Sequence, residues 1–258
     1  MAISKHSKIY YGLKIDTNSR YLDFKEGSLV FKAVIQVGSY TGSKLAIEIK
    51  KQMDAVGAYT YAVIYNRSDR KFVISASSPF TLLCGTGINS SISVFQVIGF
   101  SSVDKSGLSS YTSDVSSGHE YKTQFYIQSH QPTSQNRKAI DGVINESASG
   151  FIEVVKFGNK RFLSGEFNFI TNIVQGAGSL IRSNGTGLQD FVQLMEWLTN
   201  KYLVEIMIDE TKTEEYETFI LESTQTDSKG LDYELTELYD KGLPEYFKSG
   251  VLKFRLME

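Results

Sequence analysis

Side chains that do chemistry are scarce in this sequence. Cys84 is the one cysteine in 258 residues, so an intrachain disulfide is excluded and a reducing compartment, or assembly inside a cell, is expected. No His or Asn motif of a thiol enzyme accompanies it, and Cys84 reads as a buried, inert thiol. Three histidines, His6, His119 and His130, stand far apart. None forms the His-x-x-x-His or His-Glu spacing that brings two zinc ligands onto one face of a helix, so they read as surface or hydrogen-bonded residues. Proline occurs three times and tryptophan once, at Trp197, while Phe and Tyr are abundant. Few prolines and many aromatics favour sheet.

Charge of one sign is also missing. Lys and Arg number 27 against 29 Asp and Glu, a formal net charge of -2, spread along the chain. Without a basic stripe, neither nucleic-acid recognition nor docking on anionic lipid is expected. Residues 72–103 carry no charge, yet Ser, Thr, Gly and Pro79 interrupt them too often for a membrane span. The opening "MAISKHSKIYYGL" lacks the apolar run of a signal peptide, so targeting is expected to come from elsewhere or not to be needed.

Catalytic and cofactor motifs are incomplete wherever they begin. Gly85 and Gly87 in "GTGINS", and Gly176 and Gly178 in "GAGSLI", start a Gly-x-Gly pattern without the third glycine or the Gly-Lys-Ser of a phosphate loop; they read as turns. "NESASG" is no nucleophile elbow. The acidic run "DETKTEEYE", Asp209 to Glu217, lacks the alternation and central glycine of a calcium loop. As a carboxylate pair for glycoside hydrolysis, Asp209, Glu210 or Glu214 would need a distant acid. The run reads as a solvated hairpin tip, or as an electrostatic contact to a neighbouring subunit. The expectation is a protein without catalytic residues, metal or cofactor.

What is present is patterned for folding. "LVFKAVIQV", Leu29 to Val37, alternates as a strand with Leu29, Phe31, Ala33, Ile35 and Val37 on one side. Thr41 can cap a helix that buries Leu45, Ile49 and Met53 and ends at Gly57. "YTYAVIY" (Tyr59 to Tyr65) and "KFVISA" (Lys71 to Ala76) read as strands around the polar turn Asn66 to Arg70. A further strand is expected near Phe80 to Cys84. "ISVFQVIGF" predicts about two helical turns stopped at Gly99, with Phe100 folding back. Ser101 to Gly118 has the composition of an exposed connection; strands resume at "YKTQFYIQSH", and "QPTSQNRKAIDG" reads as a loop.

In the last hundred residues, "GFIEVVKF" and "RFLSGEFNFI" flank "GNK", so Gly158 and Asn159 predict a tight hairpin turn. A Gly- and Ser-rich loop ends in Thr186, with Gln189 completing a capping box. The helix over 187–201 places Leu188, Phe191, Val192, Met195, Leu198 and Tyr202 on one stripe, to cover a sheet. Trp197 lies beside that stripe, for packing or a subunit contact. "YLVEIMI", "YETFILES", "YELTELY" and "VLKFRLM" are four more strands. The expected fold is α+β, predominantly β: a sheet or sandwich under one amphipathic helix, plus a small α+β module. The expected division is N-terminal strands over 1–38 packing with the C-terminal sheet, the module over 39–107, connecting strands and loops over 108–150, and a β domain over 151–258.

The module resembles one that recurs in virion structural proteins of tailed bacteriophages. The positions that carry the likeness are Gly38, Tyr40, Thr41, Leu45, Ala46, Ile49, Tyr59 to Tyr65, Phe72, Leu82, Leu83, Gly99 and Phe100, within about Leu29 to Gly107. Residues Phe151 to Glu258 are similar, in element order, to tail-tube and distal-tail proteins. The resemblance implies a structural tail component at the distal tail or baseplate hub, located in the virion tail after synthesis in the host cytoplasm. Its implied partners are copies of itself in a ring, a hexamer in that family, and other tail proteins such as the tube, hub and fibre attachment. Gly158, Asn159, Lys160, Arg161, Asp209, Glu210, Glu214 and Glu215 are the implied subunit contacts. A module that recognises a host glycan or attaches a fibre is the alternative, and a tail-tube subunit or neck adaptor shares the same plan.

Overall fold

The computed structural model describes residues 8–122, 138–146, 152–166, 170, 173–176, 179–182, 187–207, 216–223, 236–237 and 247–257. The chain forms two compact units. A carrier unit takes residues 1–9 and 121–258, and an inserted unit takes residues 10–120. The chain leaves the carrier within β1 (Lys8–Tyr11) and returns within the strand His119–Lys122.

The inserted unit begins with β2 (Leu13–Ile15) and the hairpin β3 (Tyr21–Glu26) to β4 (Leu29–Val34). Gly27, at φ +55°, takes the left-handed value suited to the first position of a two-residue hairpin loop. β5 (Gly38–Tyr40) pairs with β2 and leads into α1 (Gly42–Val56). Thr41 caps α1, its Oγ1 accepting from the Lys44 amide at 3.3 Å. Leu45, Ala46, Ile49 and Met53 then fall on one buried stripe, each of the larger three contributing about 1.5–3 kcal/mol by leaving water. Gly42 is forced by space, since a Cβ there would lie 2.1 Å from the Tyr65 ring.

β6 (Tyr61–Asn66), β7 (Lys71–Leu82) and β8 (Lys105–Thr112) complete the unit. The order is β4-β3-β7-β6, with β8 also paired to β7. α1, β3, β6 and β7 share one core, in which Phe24, Ile49, Tyr61 and Phe72 are buried.

Several expectations give way here. The two strands expected over 71–84 are one long strand, β7, whose first half pairs with β6 and whose end pairs with β3. Ser101 to Gly118 is no mere connection: its β8 joins β7, with the register shifting on both sides of Phe80. The expected helix over 92–100 is a 3₁₀ turn, Ser90–Ile92, followed by turns. Gly99 nevertheless stops the chain as expected. It sits at φ +80° while its amide donates to Gln96 and that of Phe100 to Phe95, the paired bonds of a Schellman closure. Phe100 folds back edge-on to Phe95 at 6.0 Å. The boundary expected at residue 38 moves as well: β3 and β4 pair within the inserted unit, because buried Leu22, Phe24, Ala33 and Ile35 belong to its core.

In the carrier unit, after β9 (His119–Lys122), come β10 (Lys138–Glu146), β11 (Ile152–Glu166), and the hairpin β12 (Ile173–Gly176) to β13 (Ser179–Arg182). α2 (Gly187–Thr199), β14 (Val204–Met207), β15 (Tyr216–Ser223), β16 (Thr236–Glu237), β17 (Phe247–Lys248) and β18 (Val251–Leu256) follow. One seven-stranded sheet runs β10-β11-β18-β15-β14-β1-β9. α2 packs near β15 through buried Phe191, Leu194, Met195 and Leu198. Leu194 replaces Val192, which is half-buried, on the expected stripe; Thr186 lies outside the described residues.

The predicted turn at Gly158 and Asn159 does not form. β11 runs straight through it, with β10 as its partner, so the loop expected over 131–142 is strand from Lys138 onward. Pairing steps from Asp141–Gly158 to Gly142–Lys156, leaving Phe157 as the extra residue of a bulge. Glycine in a strand marks such a bulge as readily as a turn. The Gly- and Ser-rich stretch before α2 likewise contains β12 and β13. The fold class is α+β and mostly β, with two α-helices among the described residues.

Candidate assembly surface

The expected contact residues fall into two groups. Gly158, Asn159, Lys160 and Arg161 lie within β11, opposite Asp141, Ile140, Ala139 and Lys138, in one end of a ladder rather than at a hairpin tip. Asp209, Glu210, Glu214 and Glu215 lie outside the described residues, in the link between β14 and β15, which the Met207–Tyr216 pair precedes and follows. Trp197 is used in packing: its Nε1 donates to the Leu203 carbonyl at 2.9 Å, and its ring lies 4.6 Å from Tyr202. His119 is exposed and sets its ring 5.2 Å from Tyr11; His6 and His130 lie outside the described residues. Cys84 is buried, and burial first, then Asp104, pushes its thiol up to about 12.

The carboxylates of the inserted unit brace its loops. Asp23, only 2% exposed, accepts from the Asn89 amide at 2.8 Å and from its side chain at 2.9 Å. Gly87 fits there because a Cβ would stand 2.8 Å from Asp23 Oδ2. Asp104 takes the amides of Gly85 and Thr86 and the Thr86 hydroxyl. Partial burial raises its pKa, but those hydrogen bonds outweigh burial and hold it below the usual range. "GTGINS" is thus a braced turn with no room at Gly85, where a Cβ would lie 2.3 Å from Ser102 O. Asp114 accepts from Ser101 and from Lys105 Nζ at 2.8 Å. Among the described residues no group of three or more His, Cys, Asp or Glu is placed to hold a metal ion.

What remain are strand edges, with β4 and β6 at the two ends of the inserted unit's sheet. β4 ends its sheet order and pairs only with β3 among the described residues. Glu26 and Leu29 close the two-residue loop, so Leu29, Phe31 and Ala33 turn their backbone groups toward β3 and Val30, Lys32 and Val34 turn theirs outward. The same parity continues beyond β4: the Ile35 amide donates inward to Arg20 O at 2.8 Å, and the Gln36 amide reaches Glu48 Oε1 at 3.3 Å. Natural edges are usually blunted by a bulge, a proline or several charges. β4 has a regular register and one charge, Lys32, and leaves Leu29 and Val30 65% and 63% exposed.

The face beside this edge carries two lysines and one buried carboxylate, Asp23. Lys25 pairs across from Val30, and Lys32 from Asp23, so Lys25 and Lys32 share one side of the hairpin. Lys32 Nζ stands 5.6 Å and Arg20 Cζ 5.8 Å from the Tyr21 ring centre, in cation–π range. None of Arg20, Lys25 and Lys32 makes an ion pair among the described residues. The Arg20 Nε is buried without a hydrogen-bond partner. The alternation of Leu29 to Val37 signalled a strand; its place at the end of the sheet order, and with it the exposure of Leu29, Val30 and Val37, depends on long-range pairing that the pattern does not encode.

Compared with models of known protein families and with curated protein sequences, the chain matches none.

Proposed function

We propose that this chain is a structural component of a bacteriophage tail, at the distal tail or baseplate hub, that works by assembling with copies of itself into a ring around the tail channel. One observation carries the reading. The positions on which the resemblance to virion proteins rests are spent on folding: Thr41 caps α1, Leu45, Ala46, Ile49, Tyr61, Phe72, Leu82 and Phe100 are buried, and Gly99 forms the Schellman closure. The β4 edge is left over, with outward backbone groups and exposed aliphatic side chains. A module that buries its patterned residues while keeping an open strand edge suits a protein whose work is contact with other chains.

Negative-stain imaging of the purified full chain tests this. Closed rings, or rings formed when another tail component is added, are the expected result. A monomer at every concentration that also ignores other tail proteins contradicts it.

A further inference from the structure

We infer that the β4 edge of one copy pairs antiparallel with the β4 edge of a second copy, about a two-fold axis at Phe31. The contact goes beyond ring assembly: a two-fold contact joins one copy to one other, and in a ring it would tie that ring to a second one. Among the described residues β4, β6 and β8 border the inserted unit's sheet, and of these β4 alone offers an unbroken row of outward groups. β6 has lost its first outward amide: Thr60 faces β7 through the Ser77 amide, and Tyr61 then donates outward to Asp54 Oδ1 at 2.9 Å. β8 is interrupted by register shifts, and its Leu108 amide donates to the Tyr111 hydroxyl. β4 keeps a regular register with Val30, Lys32 and Val34 turned outward, until the Gln36 amide meets Glu48.

A second copy fits because the strand matches itself. In antiparallel pairing, residues that turn outward must oppose residues that turn outward, and only an axis at Phe31 or at Lys32 engages most of Leu29–Val34. An axis at Lys32 would set two lysines opposite one another, which is unfavourable. An axis at Phe31 instead sets Val30 against Lys32 of the second copy, Leu29 against its Ala33, and Phe31 against its Phe31. Each outward pair exchanges two main-chain hydrogen bonds, and Leu29 and Val30, 65% and 63% exposed, leave water. Lys25 stands beside Val30 on β3, so like charge opposes the contact and rising salt is expected to tighten it.

The test uses the full chain, with far-UV circular dichroism confirming the fold of each variant. Analytical ultracentrifugation reads association. Val30→Pro removes one outward amide while leaving the inward bonds of Leu29 and Phe31 in place, and is expected to weaken association at least about 10-fold. Mild oxidation of single-cysteine variants reads the axis. Phe31→Cys meets its own copy as a directly opposed pair, with Cα atoms about 4.5 Å apart and within disulfide reach, whereas Leu29→Cys would stand about 14 Å along the strand from its counterpart. Phe31→Cys is therefore expected to link at least about 10-fold faster, although Leu29 is the more exposed of the two; Cys84 is buried and does not compete. Linking of Leu29→Cys at an equal or faster rate, a Val30→Pro variant that associates as wild type, or a wild-type monomer overturns the contact. Rings that persist in such a case leave ring assembly standing, and a two-fold pair that never builds a ring supports the contact and overturns ring assembly.

Discussion

The Tyr61 hydroxyl donates to the Glu26 carboxylate at 2.7 Å inside the inserted unit. Glu26 ends β3, and Tyr61 begins β6; the carboxylate also takes the Ala58 amide at 3.0 Å and the Tyr59 amide at 3.1 Å. One buried acid thus fastens the exit of α1 to the β3 end of the sheet. Gly57 is required by the same contact, since a Cβ there would stand 2.6 Å from Glu26 Oε1. Burial first, then Glu26, drives the Tyr61 phenol well above its ordinary range. Glu26→Ala strands three donors and is expected to cost about 3–5 kcal/mol, whereas Tyr61→Phe removes one bond and costs about 1–2 kcal/mol. Urea unfolding of the two variants checks the order; equal losses would contradict it.

Gly99 carries two constraints at once. Its φ of +80° disfavours any side chain, and a Cβ would lie 2.2 Å from Val115 O. Gly107 has φ +86° with nothing within 4 Å, so it isolates the backbone term. Gly107→Ala is expected to cost about 1 kcal/mol, and Gly99→Ala at least about 2 kcal/mol more, because backbone has to move. Thermal unfolding of both variants separates the terms, and similar losses would show that the Val115 contact relaxes freely.

Asp114 makes the loop at the end of β8 acid-sensitive. The hydrogen bond from Lys105 Nζ, then those from Ser101, lower its carboxyl from 3.8 to about 2. A carboxyl whose pKa is lower folded than unfolded binds fewer protons when folded, so its contribution is fully present above pH 3.8 and is lost as pH falls through 2. Asp114→Asn is expected to flatten the stability profile across that window. Unchanged acid sensitivity in the variant would place the effect on other carboxyls, of which Asp54 and Asp104 are also held low.

Cys84 is 2% exposed with its thiol raised to about 12. Since only thiolate reacts readily, iodoacetamide is expected to modify the native chain at least about 100-fold more slowly than the urea-unfolded chain. Comparable rates would mean that the Cys84 region opens without global unfolding.

Local signals in the sequence suffice at the α1 cap and stripe and at the Gly99 stop, though not for the helix expected before Gly99. Thr41, Leu45, Ile49, Met53 and Gly99 each act through neighbours within five residues or through a single buried stripe. Signals that depend on a distant partner were not legible. Gly158 and Asn159 have turn chemistry, but pairing with Asp141 and Ile140 extends them into a strand. The Ser-rich Lys105–Thr112 segment has weak strand propensity, and it becomes β8 because β7 offers it a ladder. At the candidate surface, Lys32 and Leu29 were visible as strand residues. The end position of β4 and the company of Arg20 and Lys25 emerge only from the sheet order.

Native mass spectrometry of the full chain over a range of concentrations tests the central claim most directly. Assembly through strand edges predicts one closed oligomer of fixed order. A single monomeric species at all concentrations and salts, alone and with bacteriophage tail proteins added, would contradict the account.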